Sequence, residues 1–188
     1  MYPSLIGIIA SSGVSVGAGG DYESIATVTV GSGGSSTVTF NSIPSTYQHL
    51  QIRVHGMLTA TSAAISFRVG TGGTPDTTTS NYYYHRLTGN GAAASAGAGA
   101  DIPQSAWVTG NSSTANPEVF VTDILDYKDT NKQKTIRMLS GVDNNGSGEI
   151  NLTSAVWKNT GAIDVIQMIP NTGNFAEYAS FALYGIKG

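Results

Sequence analysis

The residues able to do chemistry fall into a few sets, and spacing weighs each of them. Gly13-Val14-Ser15-Val16-Gly17 has the G-x-S-x-G spacing of a nucleophile elbow. That motif activates its serine only where a strand turns sharply into a helix, with an acid and then a histidine downstream. Here it lies in a Gly-rich stretch with no helical pattern behind it, so it reads as a chance match. Asp143, Asn145 and Ser147 stand at the first, third and fifth positions of a calcium-loop spacing, with Glu149 close behind. The twelfth position is Ser154 rather than the bidentate Glu that completes such a site, and a plain Asn/Gly hairpin turn accounts for the same residues. His49 and His55 share one face of an extended stretch but lie roughly 20 Å apart, too far to hold one metal ion, although three copies of one His could meet on the axis of a trimer. Asp123, Asp126 and Asp129 offer carboxylate pairs beside Lys128 and Lys132. A glycosidase needs two carboxylates flanking a cleft, whereas a salt-bridged strand end is the ordinary reading. The last resource is aromatic: Tyr82, Tyr83, Tyr84 and Trp107 could stack on sugar rings of host glycans, or fill a core or subunit interface equally well. No cofactor and no catalytic role is expected from these sets.

The elements that must carry them are strands. Ile25 to Val30 and Thr37 to Phe40 alternate apolar and hydroxyl residues around GSGGSS and predict a hairpin. His49 to His55 places Leu50, Ile52 and Val54 on one side, and Ile65, Phe67 and Val69 repeat the pattern. Five further strands are expected over 118–127, 134–142, 149–157, 162–169 and 176–188, joined by Asn/Gly turns. The stretches from Gly70 to Ser80 and from Gly89 to Ala106 read as long loops, the second as an exposed or inter-subunit extension. No apolar helical period persists beyond two turns. The last strand carries apolar bulk on both sides, with Phe181 and Leu183 expected toward a second sheet and Tyr184 and Ile186 toward a loop or a neighbouring subunit. About ten short strands with Gly-rich turns predict an all-β, antiparallel β-sandwich, with a jelly roll as the expected topology.

Composition supports one such domain. The chain has 188 residues, 40% of them apolar and only 11% charged, with a net charge of −3 and no cysteine. That apolar content argues against disorder, and the absence of Cys excludes disulfides and thiolate metal sites. The 9 basic residues are spread too thinly to neutralise a phosphate backbone, so direct nucleic-acid binding is not expected. No run approaches the roughly 20 apolar residues of a membrane span. Residues 1–20 read as an arm, interrupted by Pro3 and several glycines, ahead of a sandwich over 21–188. The arm lacks the positive start of a signal peptide. Its Leu5, Ile6, Ile8 and Ile9 are too apolar for water and are expected to pack on a partner.

YESIATVTVGSGGSSTVTFNSIPSTYQHLQIR from Tyr22 to Arg53, DILDYKDTNKQKTIRMLSGVDNNGSG from Asp123 to Gly148, and AEYASFALYGIKG at the end resemble small β-rich virion proteins of tailed bacteriophages, as in phages of cyanobacteria. The likeness covers most of residues 22–188 and carries no catalytic motif, so no active-site residue is transferred. The resemblance implies a structural role as a head-decoration (cement), tail-fibre or baseplate protein. It implies a location on the virion, assembled in the host cytoplasm and exposed on the extracellular particle. The partners it implies are other capsid or tail proteins and a symmetric homo-oligomer, with a trimer as the expected form. A receptor- or carbohydrate-binding module on the tail is the alternative.

Overall fold

The computed structural model describes residues 20–61, 63–102 and 116–188. The expected arm residues Leu5, Ile6, Ile8 and Ile9, the Gly13–Gly17 motif and Trp107 lie outside them. The described chain is all-β, with no helix, and forms two antiparallel sheets in a sandwich.

Eight strands build the larger sheet: β1 (Tyr22–Thr29), β3 (His49–Gly56), β6 (Tyr82–Gly89), β7 (Ala94–Ile102), β8 (Glu118–Leu125), β9 (Lys134–Asp143), β10 (Gly148–Trp157) and β12 (Ser180–Ile186). Four build the smaller: β2 (Val38–Phe40), β4 (Ile65–Thr71), β5 (Thr74–Pro75) and β11 (Val165–Pro170). The orders are β1-β12-β3-β8-β9-β10-β6-β7 and β2-β11-β4-β5. Three strands of each layer match in order, β1-β12-β3 against β2-β11-β4, because β1 runs on into β2, β3 into β4, and β11 into β12. The chain crosses between layers at each of those steps. The core between the sheets is filled by alternate residues such as Leu50, Ile52, Phe67, Phe120, Ile136, Trp157, Ile166 and Phe181.

The final strand sits between β1 and β3, as its two apolar sides require. Phe181 and Leu183 are fully buried, and the Phe181 ring meets Phe175 edge-on at 4.8 Å. Tyr184 and Ile186 face the other way and are half-buried.

Three expectations are corrected. Ile25–Val30 and Thr37–Phe40 do not form a hairpin: β1 pairs with β12, and β2 pairs with β11 in the other sheet. Alternation says which side of a strand is buried but not which strand lies beside it, and the Gly-rich linker is long enough to change layers. The Gly/Ala stretch after Gly89 is not simply a loop, since Ala94–Ile102 is an edge strand paired with β6. Its glycine at 99 answers a steric demand, because a Cβ there would stand 2.3 Å from the Tyr84 ring. Most of the supposed loop from Gly70 is structured too. Gly72 and Gly73 turn β4 into β5 with φ of 67° and 73°, and the Asp164 carboxylate accepts both of their amides at 2.9 and 3.0 Å.

Candidate functional site

Only part of the eight-stranded sheet is matched by strands of the smaller sheet, and the opposite, outer face carries the least ordinary surface of the molecule. A strand with one buried face should put its apolar residues inward and its polar residues outward. Strand β10 does the reverse at its start. Asn151 and Thr153 are buried at 0% and 1% exposure, while Ile150 and Leu152 are 57% and 55% exposed. The neighbours continue the pattern: Leu139 on β9, Leu87 on β6 and Val119 on β8 are each more than half exposed.

Register brings these side chains into lines across the sheet. Val121 lies opposite Leu139, Leu139 opposite Leu152, Leu152 opposite Leu87, and Leu87 opposite Ala96. The next outward line is Val119, Gly141, Ile150, Gly89 and Ala94. The two glycines flank Ile150 and leave furrows on either side of it. Together with the turns at Asn90-Gly91 and Gly146-Ser147 they open a cleft of about 900 Å³ at this end of the sheet. Strands about 4.8 Å apart set the apolar ridge from Val121 to Leu87 at roughly 14 Å long.

The other half of the same face is polar. Asp123, Arg137, Ser154 and His85 form one line, and Gln51 donates to Asp123 at 2.7 Å. Beyond it the Arg53 guanidinium lies 5.6 Å from the Tyr22 ring centre and 5.3 Å from that of Tyr184. The apolar part of the face is therefore confined to this end of β8, β9, β10, β6 and β7, since its two lines continue on β3, β12 and β1 through Arg53, Ala182 and Thr27 and through His55, Ser180 and Thr29.

The residues singled out by type end up elsewhere. Tyr82, Tyr83 and Tyr84 do not make one aromatic patch, because successive side chains of a strand point to opposite faces. Tyr82 is fully buried, donates to the Val69 carbonyl at 2.9 Å and has its hydroxyl pKa raised by burial. Tyr84 lies over Gly99 on the inner side, while Tyr83 faces out beneath the Lys158 ammonium, 4.4 Å from its ring centre. The Asp143 loop is a tight hairpin turn: Asn145 and Gly146 have φ of 57° and 95°, and the Asn144 amide donates to the Ser147 carbonyl at 2.7 Å. Asp143 pairs with Gly148 and faces out, whereas Glu149 pairs with Val142 and reaches Asn151 on the inner side. The calcium ligand set is thus not brought together, and among the described residues no three His, Asp or Glu side chains are placed to hold a metal.

The carboxylates at the end of β8 form an ion-paired turn. Lys132 reaches Asp126 at 2.9 Å and Asp129 at 3.3 Å. The Lys132 ammonium and then Gln48 hold the Asp126 carboxyl below its usual range, and the Asn131 amide does the same for Asp129. Both acids rest ionised, so neither is poised as a proton donor. His49 accepts the Asp126 amide at 3.0 Å, an end-of-strand contact, while His55 and His85 face outward on different strands.

Sequence reasoning misses Leu87, Val119, Leu139, Ile150 and Leu152. Their signal is present as a contradiction: Ile150-Asn151-Leu152-Thr153 alternates cleanly, and the polar member is the one followed by Ala155 and Trp157, which must be buried.

Comparison with protein-family models and with curated proteins finds no match. Among solved structures the chain is similar to a single mutant of Congerin II, at 13% identity and a TM-score of 0.31, over 78% of this chain and 98% of that one. A likeness at that level carries no argument about what this chain does.

Proposed function

We propose that this chain is a non-enzymatic structural protein of a tailed-phage virion, built into the head surface or the tail through apolar contacts with copies of itself and with other virion proteins. The observation that carries the reading is the inverted strand β10, with Asn151 and Thr153 inside and Ile150 and Leu152 outside. A buried polar residue beside an exposed apolar one is the informative exception to normal burial. Continued in register through Leu139 and Leu87, it describes a surface meant to be covered. The resemblance of Tyr22–Arg53, Asp123–Gly148 and the final strand to phage virion proteins supplies the setting. The matched strand orders of the two layers favour a jelly roll, with β9–β10 and β6–β7 added at one edge to extend the larger sheet and its outer face.

The test is to assemble particles carrying Leu139→Glu together with Leu152→Glu. Both side chains face out, so the isolated domain should keep its stability to within about 0.5 kcal/mol. Incorporation into particles should fall at least tenfold. A folded double variant that is incorporated like the parent would overturn the reading.

A further inference from the structure

We propose that two copies of this chain join edge to edge through β7, antiparallel about a two-fold axis, into one continuous sheet. The contact uses backbone at the sheet edge and not the apolar outer face, so it stands apart from the assembly reading above.

A strand at a sheet edge carries a row of unpaired N–H and C=O groups, and soluble proteins blunt such edges with short strands, charges, prolines or bulges. Three of the four edges here are blunted. β2 has three residues, β5 has two including Pro75, and β1 is broken by a bulge between Ser24 and Ala26 and carries Glu23 ion-paired to Lys187. β7 is different. It has nine residues, and the stretch from Ala94 to Ala100 is Ala, Gly and Ser alone, without a charge or a proline. Among the described residues no backbone hydrogen bond reaches β7 from any strand but β6, and Ala94, Ser95, Ala96, Ala98 and Ala100 are exposed. Every second residue of β7 therefore turns both its N–H and its C=O away from the sheet, over roughly 24 Å of strand.

The inner side of β7 selects what can pair there. Tyr84 and Arg86 reach across it from β6: a Cβ at Gly99 would stand 2.3 Å from the Tyr84 ring, and one at Gly97 3.8 Å from the Arg86 guanidinium. An added strand has to leave room for the ends of these side chains, so its inward positions need small residues. β7 offers Ser95, Gly97 and Gly99 inward and alanines outward. The other long edge does not fit, since β1 turns Ile25, Ala26 and Val28 toward the core. Paired with itself about an axis at Ala96, β7 sets Ala against Ala outside and Ser95 against Gly97 inside. The Arg86 guanidinium, which bonds no acceptor among the described residues, then lies beside a serine hydroxyl of the second copy. One patch meeting itself is an isologous contact and closes at two copies. The unit is thus a dimer, not the trimer that the resemblance implies.

The test uses the full-length chain carrying Leu139→Glu and Leu152→Glu, which silences the outer face. Sedimentation equilibrium should give the mass of two chains at high concentration and of one on dilution, and the outward amides of residues 94–100 should exchange hydrogen more slowly in the concentrated sample. Adding Ala96→Lys and Ala98→Lys sets like charges across the axis. Both positions are exposed, so the urea midpoint should hold while the dimer dissociation constant rises at least tenfold. The same lysines at Thr27 and Thr29, exposed on β1, should leave the dimer intact. A monomer at every concentration, a dimer that Ala96→Lys and Ala98→Lys leave unchanged, a dimer broken by the β1 lysines, or growth beyond two chains would each overturn the proposal. The assembly reading fails separately: a dimer with these properties, in a variant still incorporated into particles like the parent, leaves the edge contact standing without it.

Discussion

Asp76 shows how single residues hold this molecule without taking part in its surface chemistry. Its carboxylate accepts hydrogen bonds from the Trp157 indole at 2.7 Å, the Asn81 amide at 2.7 Å and the Thr78 backbone at 2.8 Å. Trp157 is fully buried, so its N–H has no recourse to water. Burial acts to raise the Asp76 pKa, but the hydrogen bonds from Thr78, Trp157 and Asn81 outweigh it and hold the group below its ordinary value. Asp76→Ala should cost about 2–4 kcal/mol in urea denaturation, since it removes charge-assisted bonds and strands a buried donor. The sign of the pH effect follows from the lowered folded pKa. The contribution is complete above the ordinary aspartate value of about 3.9 and is lost as pH falls through the folded value. The stability gap between parent and Asp76→Asn should therefore begin to narrow below about pH 4 and close only below the folded value; a gap that widens with acid would refute this assignment.

Among the elements, the buried side of each strand is legible in the sequence and its neighbours are not. Leu50, Ile52 and Val54, and Phe181 with Leu183, are buried as alternation requires. Pairing partners depend on which layer a Gly-rich linker enters, and alternation is silent on that, which is why β1 and β2 look like a hairpin and are not one. Glycine, too, reads as flexibility where it answers a steric need. Gly99 and Gly185 are places where a ring lies flat on a strand: an added Cβ would stand 2.3 Å from Tyr84 in the first and 2.2 Å from Tyr47 in the second. Gly185→Ala should thus destabilise the domain by about 1–3 kcal/mol through overpacking, read as a lowered urea midpoint with an unchanged slope. A neutral Gly185→Ala would mean that Tyr47 can leave the strand freely. The Tyr47 hydroxyl donates to Glu23 at 2.9 Å, and Lys187 bonds the same carboxylate, so that ring is anchored. The aromatic run at 82–84 fails as a patch for the plainest reason, the two-residue period of a strand.

For the whole molecule, the two sheets are unequal, and the excess of the larger one creates the surface on which the functional reading depends. The smaller sheet matches β1, β12 and β3 in strand order, while the larger sheet continues through β8, β9, β10, β6 and β7. On that extension the outer face turns apolar over one half, although strands of a free-standing protein would normally present polar residues there. The sequence places the need for a partner in Leu5–Ile9 and conceals the second apolar surface, because each of its members comes from a different strand and only register brings them together. An apolar segment in the sequence and an apolar ridge on the surface suit an assembly of many copies. The most direct measurement is a density map of the intact particle at a resolution that shows side chains. This chain is expected on the head surface or tail, with Leu139, Ile150 and Leu152 covered by another chain. Particles that lack the chain, or that carry it with this face bare to solvent, would contradict it.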